Sequence, residues 1–335
     1  MKTSDFDYDL PQEFIAFYPL SKREECRLMV LNRKDQSIEH RRFYELRGLL
    51  REGDLLVLNN TRVLPARLFG KVNNDKRFEI LLIERINSRL WKSIMRNPKN
   101  GIPLEFDEGL KGKVLKNGKD EWLVEFEENA DDYIEKFGKM PLPPYIRREP
   151  EEEDRNFYQT VYAEKEGAIA APTAGLHFTE SLLDEIRCRG VEIRDITLHV
   201  GIGTFKPVKV ENIKDHYMHP EYVDIREETA LAVNRAKRED RRIVAVGTTV
   251  VRALESAVDE TGILQPKMDY TKLFIYPGFR FQVVDALITN FHLPCSTLLM
   301  LVSAFAGREL IFSAYEAAKR EGYRFLSYGD AMLIL

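Results

Sequence analysis

Apolar residues follow two different rhythms along this chain. Residues 28–31 and 55–58 are short, unbroken apolar runs, the pattern of strands buried on both faces; the second enters the turn Asn59-Asn60-Thr61-Arg62. From residue 64 to 148 the character changes. Strand-like runs at 78–83, 90–95, 102–106, 113–116 and 122–126 alternate with turn clusters such as Asn73-Asn74-Asp75, Asn97-Pro98-Lys99-Asn100-Gly101 and Asn117-Gly118. That rhythm predicts an all-β sandwich or small barrel. The stretch closes with Met140-Pro141-Leu142-Pro143-Pro144-Tyr145 and a charged run over 147–155, a stiff segment followed by solvated charge.

Helices and strands then alternate. Thr179 is placed to cap a helix over 180–189 that Gly190 stops, and 191–200 reads as a strand. A helix over 229–237 and a strand over 243–246 come next, the latter feeding a helix from about Thr249. Ser296 caps a helix ending near Gly307, and a last helix ends near Gly322. The predicted fold is a discontinuous mixed α/β domain, residues 1–63 and 149–335, interrupted by an inserted small all-β, barrel-like domain over 64–148.

At 335 residues the chain is long enough for two domains and a large core. Its mean hydropathy of -0.35 is that of a soluble globular protein. The longest largely apolar run, 298–306, falls short of the roughly 20 residues that span a bilayer. The first seven residues carry no apolar h-region, so no membrane segment and no secretory signal are expected. Cys26, Cys188 and Cys295 are widely separated, which suits a reducing cytoplasm and gives no zinc spacing. A net charge of -4 means that a nucleic-acid partner must be met by local positive charge. The candidate clusters are Lys71, Lys76 and Arg77, then Lys111, Lys113, Lys116 and Lys119, then Lys237, Arg238, Arg241 and Arg242.

Chemistry concentrates in five turns. They hold Thr173, Gly175, His177 and Phe178; His199, Gly201, Gly203 and Thr204; Thr248, Thr249 and Arg252; Asn290 and His292; and Asp330. Connections carry function more often than scaffold does, so the five point to a composite active site. Gly201 and Gly203 resemble the start of a dinucleotide fingerprint, but Phe205-Lys206-Pro207 continues extended where a phosphate cradle needs a helix. A close backbone approach to a flat or sulfur-bearing ligand remains. At Gly247-Thr248-Thr249 a buried strand delivers hydroxyls and free N–H groups to a helix start, which suits a carboxylate or phosphate. An ordinary threonine N-cap would have the same sequence. His216 and His219 lie near acids, yet their spacing and Pro220 do not fit a helical zinc pair.

Further stretches complete the picture: Phe6-Asp7-Tyr8-Asp9-Leu10-Pro11, Asn59-Asn60-Thr61-Arg62-Val63-Leu64-Pro65-Ala66-Arg67-Leu68, Tyr158-Gln159-Thr160-Val161-Tyr162, Asp215-His216-Tyr217-Met218-His219 and Tyr276-Pro277-Gly278-Phe279. With the five turns and the proline-rich stretch, they resemble the S-adenosylmethionine:tRNA ribosyltransferase-isomerases of queuosine biosynthesis from one end of the chain to the other. The resemblance implies an α/β domain interrupted by a β-barrel. It also implies transfer of the ribosyl part of S-adenosylmethionine to 7-aminomethyl-7-deazaguanine at the wobble position of a tRNA with a GUN anticodon. The product would be epoxyqueuosine, with adenine and methionine released, and the enzyme a monomer. Cys295 and Val250 stand where such proteins often carry Glu and Ser.

S-adenosylmethionine is a co-substrate in this reading, and no cofactor or metal is expected. Its sulfonium acidifies the C5′ hydrogens, so a general base is needed; His177, His199 and His292 are the candidates. Phe178, Tyr162 or Phe291 could hold the sulfonium by cation–π attraction. His177 and His292 are expected in one cleft lined by residues 201–204. Two alternatives stand beside this reading: a metal-dependent hydrolase built on His216 and His219, and a non-catalytic RNA-binding protein.

Overall fold

The unbroken apolar runs become strands covered on both faces. A computed structural model describes residues 1–72, 76–118, 121–201 and 208–335; Lys119, Gly203 and Thr204 lie outside the described residues, as do Asn73, Asn74, Asp75 and the side chain of Lys76. Strands β1 (Arg27–Leu31), β2 (Ile38–Arg42), β3 (Leu55–Asn59) and β4 (Thr61–Val63) come first. β5 (Arg67–Val72), β6 (Lys76–Arg85), β7 (Leu90–Met95), β8 (Pro103–Glu105), β9 (Lys111–Asn117) and β10 (Glu121–Phe126) are next along the chain. The remainder are β11 (Lys165–Ala168), β12 (Glu192–Leu198), β13 (Glu221–Ile225), β14 (Ile243–Val246), β15 (Lys267–Thr271), β16 (Ala286–Asn290) and β17 (Ala331–Ile334).

Nine strands form one mixed sheet in the order β15-β13-β12-β3-β14-β16-β17-β1-β2. In its centre, alternate residues feed two separate cores. Leu55 and Val57 point to one, Leu56 and Leu58 to the other; Ile243 and Ala245 oppose Val244 and Val246 in the same way. β12, β3, β14 and β16 run parallel, so their carboxyl ends share one edge of the sheet. β17 is antiparallel to β16 and β1 is parallel to β17, so both present their amino ends at that edge. The segments leaving Asn59, Leu198, Val246 and Asn290 therefore meet those entering Arg27 and Ala331.

β5 to β10 close into an antiparallel barrel in the order β10-β7-β6-β5-β8-β9, filled by residues that include Trp91, Phe106 and Phe126. Paired bonds between Arg67 and Lys139 tie the start of the barrel to the chain leaving it, Arg67 N–H to Lys139 O at 3.1 Å and the reverse at 2.9 Å. The proline-rich stretch is not a free linker. Met140 and Leu142 pack with Val63, Tyr158 and Tyr328 in a fourth apolar cluster. Nor is the charged run wholly solvated: Arg148 grips buried Asp154 with two bonds of 2.7 Å. The helix caps are as expected, with Thr179 accepting from Leu182 N–H and Ser296 from Leu299 N–H, both at 3.1 Å.

Gly138 shows how tightly the barrel exit is packed. A Cβ there would lie 1.8 Å from the Pro65 carbonyl oxygen and 2.4 Å from that of Ile134. Gly138→Ala is expected to destabilise the protein by about 1–3 kcal/mol, read as a lower urea midpoint. An unchanged midpoint would show that the exit gives way freely.

Candidate active site

Two adjoining hollows open at the shared strand edge. One is lined by Thr173, Asn290, His292 and Ser296 with Tyr145 and Ser327. The other adds Val200, Gly247, Thr248, Thr249 and Thr289 to the same Thr173, Asn290 and His292. Each has a cavity volume of about 40 Å³, room for part of a small-molecule ligand rather than the whole of one.

The helix Thr248–Glu255 begins on this cleft. Its N-cap is Gly247 at φ 93°, and no side chain caps it. Glycine reaches that conformation without the Cβ clash of other residues. The threonines are therefore not the N-cap. Both are buried and face the cleft, and the helix start favours negative charge there.

Behind the cleft runs a buried polar relay. Thr173 Oγ1 donates to Asn290 Oδ1 at 2.8 Å. Asn290 Nδ2 lies 3.1 Å from His177 Nε2 and 3.5 Å from the Asp330 carbonyl. Only an NH₂ group serves two acceptors, so Nε2 is the bare nitrogen and Nδ1 bears the proton, directed at Cys26 Sγ 3.2 Å away. Both imidazole nitrogens are thus engaged inside the protein. His177 lines a third hollow with Arg23, Cys26, Arg324 and Tyr328. The expectation of one shared cleft is corrected: His292 faces the front hollows, His177 the rear one, and Asn290 stands between them.

His292 is fixed through its backbone and its ring. Its N–H donates to Tyr315 Oη at 2.9 Å, its carbonyl accepts from Tyr8 Oη at 2.5 Å, and Nε2 is 2.9 Å from Thr289 Oγ1. His199 lies outside both front hollows, 2.8 Å from Thr61 Oγ1 and stacked on Tyr222 at 5.5 Å. Gly167 makes room for it, since a Cβ there would come within 2.6 Å of the imidazole.

Several residues read as ligand contacts are braces instead. Gly201 N–H donates to Glu221 Oε1 at 3.0 Å, and Glu221 pairs with buried Arg252, whose Nε donates to the Leu273 carbonyl at 3.0 Å. Asp330 accepts the backbone N–H groups of Arg27 and Arg324 at 2.8 and 2.7 Å. Phe178 is fully buried, edge-on to Phe43 at 4.9 Å, and Phe291 packs on Phe325 at 4.7 Å, so neither ring is free for a sulfonium. Gly175 yields space to Tyr162 Oη, which a Cβ would approach to 2.0 Å. Thr173, Thr248, Thr249, Asn290 and His292 are the sequence-read residues that the structure brings together in the cleft. Thr289 and Ser327 join them without standing out in the sequence; Thr289 had a signal, being three residues before His292 at the end of an apolar strand.

Among the described residues no three His, Cys, Asp or Glu side chains converge as metal ligands. His216 rests against Phe274 and His219 against Tyr217, at 5.4 and 5.7 Å between ring centres. The hydrolase alternative loses its geometric basis. Three of the four cations in the cluster before β14 are also reassigned. Arg242 binds Asp54, Arg241 binds Glu192, and Lys237 donates to the Gly262 carbonyl, with both arginines at the strand edge opposite the cleft.

Burial lowers His177 from 6.5 to about 3, with Arg324 and Arg23 adding to the effect, and lowers His292 equally. The unfolded chain takes up these protons below about 6.5, whereas the folded one resists until about 3. Their stabilising contribution is complete above that upper value and is lost as pH falls through the window. Urea midpoints measured between roughly pH 4 and 8 should therefore drop on the acid side, less steeply in His177→Gln. A wild-type midpoint that stays flat would contradict neutral burial.

The queuosine biosynthesis protein family matches residues 3–334. The S-adenosylmethionine:tRNA ribosyltransferase-isomerases of Syntrophotalea carbinolica and Carboxydothermus hydrogenoformans are 50% and 52% identical, with 100% of each chain covered. The crystal structure of S-adenosylmethionine tRNA ribosyltransferase from Thermotoga maritima is 40% identical, covers 99% of this chain and 100% of its own, and has a TM-score of 0.56. A match of this extent, on a chain whose fold is an α/β sheet with a separate closed barrel, shows that it belongs to the queuosine biosynthesis protein family.

Proposed function

We propose that the chain transfers and isomerises the ribosyl moiety of S-adenosylmethionine onto 7-aminomethyl-7-deazaguanine at the wobble position of tRNAs with a GUN anticodon. Epoxyqueuosine, adenine and methionine are the products. The observation that carries this reading is the hydroxyl- and amide-lined cleft at the strand edge of a chain matched along its whole length by ribosyltransferase-isomerases. In this proposal the chain acts as a monomer.

In this reading the helix start at Thr248 and Thr249 receives the methionine carboxylate. His292 is the imidazole in the cleft and takes the C5′ proton. Its burial keeps it unprotonated at neutral pH but also makes it a weak base. Proton transfer therefore leans on the acidity that the adjacent sulfonium confers. His177 acts through Asn290, holding the amide that orients Thr173, and is a positioning residue. The sulfonium supplies the activation, so the proposal includes no metal and no cofactor.

Adenine release from S-adenosylmethionine is the direct test. It is expected with tRNA bearing the aminomethyl-deazaguanine, absent with tRNA bearing guanine, and retained after exhaustive chelation. No release with the modified tRNA would sink the reading, and metal-reversible loss after chelation would sink its metal-free form. His292→Ala should lower kcat by about 10²-fold or more while S-adenosylmethionine still binds; a near-normal kcat would remove His292 from the chemistry.

A further inference from the structure

Two sequence stretches that the cleft does not use come together at its strand edge. Residues 215–219 lead into β13, and the chain leaving β15 runs toward Tyr276; the register pairs Glu221 with Thr271 at their junction. His216 packs edge-on to Phe274, which in turn meets Tyr276 at 5.1 Å. On this base stands Tyr217, 61% exposed, with Lys272 Nζ 5.6 Å from its ring centre and His219 edge-on beside it. The platform adjoins the cleft wall, because Leu273 accepts from Arg252, whose partner Glu221 holds Gly201.

Nothing in the packing requires an exposed tyrosine there, and the local charge runs against that of the protein. Lys209, Lys214 and Lys272 are exposed and pair with no carboxylate among the described residues. Glu211 is already matched by Lys2 at 2.8 Å, which leaves Asp215 as the opposing charge on the stretch. With Lys272 over one face of the ring and the rest of it exposed, Tyr217 beside ammonium groups that lack carboxylate partners suits a nucleobase and its neighbouring phosphates.

We propose that Tyr217 stacks an unpaired base of the RNA substrate beside the cleft, with Lys272 and Lys214 on adjacent phosphates. This rests on the reading of tRNA as substrate. Single-stranded loops are where RNA offers splayed bases to aromatic side chains, and the anticodon loop that carries the wobble position is such a segment.

The test is a titration of the protein with a labelled anticodon stem–loop RNA at two salt concentrations. Tyr217→Ala should weaken binding about tenfold, and Tyr217→Phe, which keeps the ring, should bind like the wild type. Lys272→Ala should bind more weakly and flatten the salt dependence by about one unit or slightly less. S-adenosylmethionine binding should be the same in all three. Wild-type binding matched by Tyr217→Ala would overturn the platform alone. A wild-type protein that does not bind the RNA would overturn the substrate reading and the platform with it.

Discussion

Burial of the central strands on both faces is the constraint from which the site arises. A strand such as β3, with all five residues buried, has no face on which to carry chemistry. Polar function is displaced to the strand ends, and mixed direction brings six of those ends to one edge. There the last buried residue must satisfy hydrogen bonds that the ladder no longer provides. Asn59 accepts from Leu198 N–H at 3.0 Å and Thr61 N–H at 3.2 Å, donates to the Leu198 carbonyl at 3.0 Å, and reaches Thr249 Oγ1 at 3.4 Å. Asn290 does the same work at the end of β16, with Thr173 and His177 as partners. One amide thus closes a sheet and sets a cleft wall.

The charges around the cleft obey the same constraint. Asp330 is buried, which pushes its carboxyl up, and two backbone N–H groups pull the other way. Arg252 and Glu221 are both about 4% exposed, and each is tolerable only because of the other. Removing one partner of such a pair costs about 3–5 kcal/mol, far more than an exposed pair contributes. Their position matters more than their energy: the pair ties the turn after β12 to the helix after β14 through Gly201, so the cleft wall at the neighbouring Val200 is held by the scaffold.

The elements most legible in the sequence were those whose pattern is set by burial alone. β1, β3 and β14 could be read from apolar runs, and the caps Thr179 and Ser296 from their side chains. The edge strands could not. β2 is Ile-Glu-His-Arg-Arg with a nearly all-exposed pattern, and β15 is Lys-Met-Asp-Tyr-Thr, buried only at its last residue. The turns that build the cleft were legible as a set, because glycine, threonine and histidine collect where backbone and ligand meet. The division of labour among them was not. His177 meets Asn290 across 113 residues and Cys26 across 151. Nothing in a local pattern tells an imidazole pointing into a cleft from one holding the residue that does.

Clusters of basic residues show the same limit from the side of charge. Lys237, Arg238, Arg241 and Arg242 form the densest run, yet three of the four are taken up by the Gly262 carbonyl, Glu192 and Asp54, closing the sheet edge away from the cleft. In the barrel, Lys71, Lys92 and Lys113 each face an acid. Sequence density of cations is therefore a poor guide on a chain with nearly as many basic as acidic residues. Lys209, Lys214 and Lys272 beside Tyr217 have no carboxylate partner among the described residues, and neither do Lys111 and Lys116 in the barrel or Arg238 before β14; what sets the Tyr217 stretch apart is its place at the strand edge that carries the cleft. An unpaired cation keeps its hydration and its counterions until a phosphate displaces them, whereas a paired one has already given them up within the fold. On a protein of net charge -4, the unpaired cations nearest the cleft are where the proposed RNA backbone would rest.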